Sequence, residues 1–405
     1  MKIVADKDIF AVERIFGGFG ELVLLPGRGI GRQDLVDADA LLVRSVRAVD
    51  RSLLRNTGVG FVGAATSGLD HIDSEWLGAN GVALAHCRGA NAWAVVEYCL
   101  GAIASLRLAG RIETRYPSIG VIGAGAIGGR LARRMRELGH KVVVCDPPLA
   151  ELGGTRREFA WRPLPDALDC DIVSLHVPLT AGGRHPTRHL LDAAALERLR
   201  PGAVLINASR GGVVDEAALL ARLTHGPDLH CVVDVWQNEP EVDAELAAKA
   251  ALATPHIAGY SEQAKWGATA MLARQFAEHF SLASASREDF AAAEAPGVDA
   301  GIKTGAKTGA NLAIPGEWGR DRLAHWRVVD RCLGLASLSG RFQRWALERR
   351  ADPRPCPPAE VFDRLRRPLL ARQEFPAIKL TGAQTLSRSQ QRWLRRLGFA
   401  LRASR

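Results

Sequence analysis

At 405 residues the chain is too long for one ordinary hydrophobic core, so two or three domains are expected. With 47% hydrophobic and 24% charged residues it has the composition of a soluble globular protein, and its longest apolar stretch, Ala92 to Leu106, is broken by Glu97, which argues against a membrane span. The seven cysteines are scattered without a C-x-x-C pair and the residues after Met1 turn acidic early, so a cytoplasmic protein with reduced thiols, no secretory leader and no metal site is expected.

The net charge of +9 is concentrated late, residues 285–405 holding 23 Lys+Arg against 12 Asp+Glu. Only 8 of the 53 basic residues are lysine. Arginine therefore dominates throughout, and the excess reads as compositional bias rather than as a nucleic-acid surface.

Residues 1 to about 90 alternate short apolar runs (Ile3-Val4, Leu22 to Leu25, Ala40 to Val43, Gly60 to Val62, Val82 to Ala85) with helical stretches, the pattern of a small α/β domain with a parallel sheet. The polar turns Arg44-Ser45-Val46-Arg47 and Ala65-Thr66-Ser67-Gly68 follow its third and fourth strands. Parallel sheets bind ligands beyond the carboxyl ends of their strands, so these turns read equally as anion contacts or as solvated polar loops. Arg88 to Gly110 then predicts a long helix opening at Asn91-Ala92.

An apolar run, Ile119 to Ile122, leads into G-x-G-x-x-G at Gly123, Gly125 and Gly128; a helical stretch to Leu138 follows, then Val142 to Val144 and Asp146. This strand, glycine turn, helix, strand and acid is a dinucleotide-binding unit. Gly123 permits the tight turn, Gly125 lets backbone N–H groups reach a pyrophosphate, and Gly128 lets helix and strand pack closely. Asp146, 18 residues beyond Gly128, is placed to accept ribose hydroxyls and to repel a 2′-phosphate, which selects NAD. Strands are expected at Ile172 to His176, Val204 to Asn207, Cys231 to Val235 and Thr254 to Ile257, with helices at Leu190 to Leu199, Asp215 to Leu223 and Ser261 to Ser284. Residues 285–317 read as an Ala/Gly-rich flexible linker; its near-repeat Lys303 to Ala310 lacks the G-K pair of a phosphate-binding loop. A compact α/β segment begins at Trp318, with pieces at Arg320 to Leu333, Val361 to Arg372, Ala377 to Leu380 and Ser389 to Leu397.

Three motifs follow the glycine unit in order: Asn207-Ala208-Ser209-Arg210-Gly211-Gly212, Asp234 through Glu239-Pro240, and Thr254-Pro255-His256 through Gly259-Tyr260. Removing a hydride from an alcohol carbon requires a base for the hydroxyl proton, and histidine suits it. A glutamate bonded to that histidine raises its basicity and fixes its orientation, and an arginine grips a substrate carboxylate. His256, Glu239 and Arg210 are the candidates. Each alone has a structural explanation; their arrival together after a dinucleotide fold favours chemistry.

On these motifs residues 1 to about 284 resemble the D-isomer-specific 2-hydroxyacid dehydrogenases. The resemblance implies a Rossmann-type NAD-binding domain (93–259), a flavodoxin-like substrate or lid domain (1–92 and 260–284), and the catalytic set Arg210, Glu239 and His256. It implies NAD contacts at Gly123, Gly125, Ala126, Ile127, Gly128, Asp146, Ala208, Ser209, Asp234 and Gly259, and substrate contacts at Ser45, Thr66 and Tyr260. The stretches Gly63 to Asp73, Cys87 to Tyr98 and Phe362 to Arg367 resemble a branch whose members oxidise a phosphorylated 2-hydroxy acid and carry a small C-terminal α/β dimerisation domain, here 318–405. A cytoplasmic homodimer is the implied assembly. Relatives acting on another phosphorylated 2-hydroxy acid, and NAD(H)-sensing corepressors on the same fold, keep the same three residues. Ser261-Glu262-Gln263-Ala264-Lys265 departs from the family, which usually has a glycine before the lysine.

Overall fold

Alternate residues of each strand in the first 91 residues face opposite sides of the sheet, and both sides are apolar. Ile3, Ala5, Ala40, Leu42 and Phe61 belong to one core layer, and Val4, Leu41, Val43, Val62 and Ala64 to the other. In this computed structural model, which describes residues 1–152, 158–225, 229–282, 310–352 and 357–401, they form β1 (Lys2–Asp6), β2 (Glu21–Leu25), β3 (Ala40–Val43), β4 (Phe61–Ala64) and β5 (Ala83–His86). All pair in parallel in the order β2-β1-β3-β4-β5, the flavodoxin-like winding. The Glu262–His279 helix, capped by the Ser261 hydroxyl on Ala264 N–H, returns to one face of this sheet, where Phe276 meets Phe16 and Phe61 edge to face. The two compact units of the chain are Met1–Asn91 with Ser261–Lys307, and Ala92–Tyr260 with Thr308–Arg405.

The second unit is built on a six-stranded parallel sheet in the order β11-β10-β9-β8-β6-β7: β6 (Ile119–Ile122), β7 (Val142–Cys145), β8 (Ile172–Leu175), β9 (Ala203–Asn207), β10 (Leu229–Val233) and β11 (Leu252–Ala253). Ile119, Val121, Ile172, Val204 and Val232 face one core, and Ile122, Val173, Leu205, Cys231 and Val233 the other. The Ala92–Leu108 helix, buried on nearly all sides, lies in the first of these cores. The last strand stops at Ala253, short of the expected Thr254 to Ile257: Thr254 N–H still bonds the Val233 carbonyl, but Pro255 has no N–H for a ladder and Ile257 N–H goes to the Asp234 carboxylate instead.

The C-terminal segment does not separate from the dinucleotide domain. Trp326, Val328, Val329 and Leu333 of the Ala324–Leu333 helix enter one core of the large sheet, and Phe342, Ala346 and Phe362 enter the other. Packing is close enough that a Cβ on Gly101 would come within 3.0 Å of Leu333. The segment has its own parallel sheet, β12 (Asn311–Ala313), β13 (Lys379–Thr381) and β14 (Ala400–Leu401). Residues 311–313, grouped by composition with the linker, are thus a strand; the rest of that linker up to 309 lies outside the described residues. Among the described residues no helix is long and apolar enough to cross a membrane.

Candidate active site

All six strands of the large sheet run in parallel, so the loops after them share one rim. Arg210 follows β9, Glu239 follows β10 and His256 follows β11, and these strands are neighbours. The glycine turn follows β6, and Asp146 follows β7, also neighbours.

Each glycine of the fingerprint can be judged by what a side chain would meet. Gly123 has φ +86°, and a Cβ on Gly128 would lie 1.9 Å from the Gly123 carbonyl oxygen, so turn and packing themselves require glycine there. A Cβ on Gly125 would meet no protein atom within 4 Å. The open space there would let a ligand such as a pyrophosphate approach the backbone closely. The Gly128–Glu137 helix starts there, with Ile127 preceding it and the Ala126 carbonyl accepting a hydrogen bond from Arg130. Asp146 accepts Ala124 N–H at 2.7 Å and Leu149 N–H at 3.0 Å, tying the end of β7 to the glycine turn. A carboxylate offers about four acceptor positions, which leaves capacity for ribose hydroxyls. His176, just after β8, also borders this turn: a Cβ on Gly128 would lie 3.1 Å from its Cβ, its Nε2 lies 2.9 Å from Ser174 Oγ, and burial pushes its pKa down to about 3. It is a neutral ring, and nothing in the sequence marked it out.

Asn207 shapes the arginine loop. Its Oδ1 accepts the Ser209 N–H and hydroxyl, and its Nδ2 donates to the Arg210 carbonyl at 3.2 Å. Ala208 is buried, and Arg210 donates to the Ser209 carbonyl at 2.7 Å. A Cβ on Gly211 would sit 2.0 Å from the Trp236 carbonyl oxygen, which sets the arginine loop directly against the glutamate loop.

The glutamate and the histidine meet. Glu239 Oε2 lies 2.7 Å from His256 Nδ1, and Glu239 Oε1 accepts Trp236 N–H at 2.9 Å. An ionised carboxylate only accepts, so Nδ1 carries the hydrogen and Nε2 is left as the proton acceptor. Burial would raise the Glu239 pKa, but the charge of His256, their hydrogen bond, the Trp236 N–H and the charge of Arg366 outweigh it and hold it below the ordinary value. The His256 side chain is 40% exposed, as a group that must reach a ligand has to be.

His256 has φ +55°, unusual for a residue with a side chain, and the loop around it is held accordingly. Its N–H donates to the Asp234 carbonyl at 2.7 Å, while the fully buried Asp234 carboxylate accepts Ile257 N–H at 2.7 Å, Ala258 N–H at 2.8 Å and the Thr254 hydroxyl at 2.6 Å. Because Thr254 gives its proton to Asp234, the Tyr98 hydroxyl, 2.7 Å away, donates to Thr254. Asp234 therefore builds the histidine loop, whatever it also contacts. Burial pushes its pKa up, with the charge of His256 and these hydrogen bonds opposing. Gly259 lies in the turn that Tyr260 N–H closes on the Ile257 carbonyl at 2.8 Å.

Ser45 and Thr66 belong to the first unit, where they follow β3 and β4 on the carboxyl rim of its sheet. The neighbouring Arg44 is committed to Asp6 at 2.7 Å and Asp8 at 2.8 Å, so this arginine serves the structure of the rim. Thr66 donates to the Gly68 carbonyl at 2.8 Å, and Ser67 lies 2.8 Å from Asn91 Oδ1.

The model of the D-isomer specific 2-hydroxyacid dehydrogenase NAD binding domain matches residues 94–258, so this part of the chain is an NAD-binding domain. The chain is 46% identical over 282 residues to the erythronate-4-phosphate dehydrogenase of Hahella chejuensis, covering 70% of this chain and 73% of the relative. It is 49% identical over 279 residues to the erythronate-4-phosphate dehydrogenase of Azotobacter vinelandii, covering 69% and 72%. The NAD+-bound 3-phosphoglycerate dehydrogenase of Entamoeba histolytica shares the fold, with a TM-score of 0.58 at 23% identity over 69% of this chain and 95% of that one.

Proposed function

The chain belongs to the erythronate-4-phosphate dehydrogenase family, and from that premise we propose that it oxidises 4-phospho-D-erythronate at C2 to 2-oxo-3-hydroxy-4-phosphobutanoate, using NAD, in pyridoxal phosphate biosynthesis. The observation that carries the reaction is the His256–Glu239 pair, joined at 2.7 Å on the same rim as the glycine turn.

Bound NAD supplies the acceptor for a hydride. The chain's own groups do the rest. Arg210 holds the C1 carboxylate and its charge favours the carbonyl oxygen that develops at C2. His256 Nε2 takes the C2 hydroxyl proton, and Glu239 stabilises the imidazolium through Nδ1–H without taking the proton itself. We assign NAD to Gly123, Gly125, Ala126, Ile127, Gly128, Asp146, Ala208, Ser209, Asp234 and Gly259, and the substrate to Ser45, Thr66 and Tyr260. The rim loops hold Ser45 and Thr66 at strand ends, which is the support for that assignment. A homodimer assembled through the 318–405 segment and working in the cytoplasm completes the reading; the six free cysteines among the described residues are consistent with a reducing compartment.

A panel of 4-phosphoerythronate, 3-phosphoglycerate, glycerate and lactate, followed by NADH absorbance, tests the substrate. The highest kcat/KM is expected for 4-phosphoerythronate. Faster turnover of 3-phosphoglycerate overturns the assignment, and NADH binding without turnover of any hydroxy acid favours a sensor.

A further inference from the structure

Arg366 ends the Pro358–Arg366 helix of the C-terminal segment, and the reaction just described gives it no part. Its Nε donates to the Pro255 carbonyl at 2.6 Å, and its Nη2 lies 3.8 Å from Glu239 Oε2. The side chain is 16% exposed, and its guanidinium lies 4.7 Å from the centre of the Phe362 ring, a stacking that fixes its direction. Pro255 immediately precedes His256. One guanidinium thus touches both the peptide that carries the histidine and the carboxylate that orients it.

We propose that Arg366 is a positioning residue for proton transfer: its hydrogen bond fixes the peptide bearing His256, and its charge opposes an extra proton on the Glu239–His256 pair. The proposal rests on the reading of His256 as the base. Asp234, which interacts electrostatically with His256, favours the protonated ring when ionised, and so does Glu216 beside Glu239, although burial pushes the Glu216 carboxyl up to about 7. Arg366 is the counterweight to them, and Arg210 is a second cation, on the neighbouring β9 loop. A base has to be unprotonated to accept the substrate proton, and this guanidinium, 3.8 Å from the carboxylate that orients the ring, is the cation placed to oppose an extra proton on the pair. The C-terminal segment then contributes to the site from within its own chain, whatever it also does in assembly.

The test uses full-length Arg366→Met and Arg366→Lys with two readouts. One is the pH dependence of kcat/KM. The other is the NMR titration of the His256 ring, assigned with His256→Asn, which requires no turnover. In Arg366→Met both the ring midpoint and the acid limb of kcat/KM are expected to move up by roughly 0.5–1 pH unit, with kcat reduced about tenfold. Lysine keeps the charge and restores most of the midpoint, but less of kcat because the fork geometry is lost. A folded Arg366→Met with an unmoved midpoint overturns the proposal, since a packing role lowers kcat without displacing a titration. Should methionine prevent folding, Arg366→Gln reads the same midpoint with a neutral donor. Failure of the wild type to oxidise 4-phosphoerythronate defeats the functional reading alone, and the NMR midpoint still decides the role of Arg366.

Discussion

His256 Nδ1 and Glu239 Oε2 are 2.7 Å apart, and that bond determines which end of the ring can work. With Nδ1–H committed to the carboxylate, Nε2 is the free acceptor, and the left-handed backbone at His256 is held by Asp234. On the proposed reading the labour is divided: Glu239 orients the ring, Asp234 builds the loop, and His256 moves the proton.

His256→Ala removes the base and leaves the glycine turn intact. General-base catalysis contributes about 10²–10⁴-fold, so kcat should fall by that range while NADH, followed by fluorescence titration, still binds within about threefold. Near-wild-type kcat would refute the assignment.

Glu239→Gln keeps the shape and removes the charge that stabilises a protonated ring. The acid limb of kcat/KM should therefore move to lower pH, by roughly one unit, opposite in sign to the effect of Arg366→Met. A limb that moves up in both variants contradicts the electrostatic account.

The fingerprint glycines should separate stability from binding. Gly128→Ala drives a methyl to 1.9 Å from the Gly123 carbonyl oxygen, so it should cost about 1–3 kcal/mol in chemical denaturation and lose NAD as well. Gly125→Ala meets no protein atom within 4 Å and should leave the melting temperature unchanged while weakening NAD more than tenfold. Equal loss of stability in both variants would show that Gly125 is structural.

These contrasts mark how far the sequence reaches. The strands at Ala40–Val43 and Ile119–Ile122 have the bounds expected, because short apolar runs between glycines and polar turns encode a buried parallel strand locally. The order of Arg210, Glu239 and His256 was legible for the same reason, each following a strand. What failed depended on partners distant in sequence. The Leu335–Ala351 helix was not foreseen, since its arginines, serines and glycine blur the apolar period and its buried Phe342 finds a place only against the large sheet. The three-residue β12 has one large apolar side chain, Leu312, and takes its identity from pairing with β13. Arg366 lies 111 residues from Pro255, and Tyr98 lies 156 residues from Thr254, so no local pattern joins them.

Arg372 should matter to the fold more than to the chemistry. It donates to Glu97 at 3.0 Å, to the Ala94 carbonyl at 3.2 Å and to the Tyr260 carbonyl at 2.7 Å, while Glu97 also accepts Phe375 N–H. Burial pushes the Glu97 carboxyl up, to about 8, and Arg372 is the charge that opposes it. Arg372→Met removes the donor that these three part-buried acceptors share and should cost about 1–3 kcal/mol in urea denaturation. Arg372→Met with Glu97→Gln should recover part of the loss. A double variant no more stable than the single one would show that the backbone bonds, not the ion pair, carry the effect.

The central claim is transfer of the C2 hydride of a phosphorylated 2-hydroxy acid, and isotope transfer measures it most directly. With 4-phospho-D-erythronate deuterated at C2, NMR of the reduced cofactor should show one deuterium at the nicotinamide C4 for each turnover. Turnover that leaves C4 unlabelled would contradict the account.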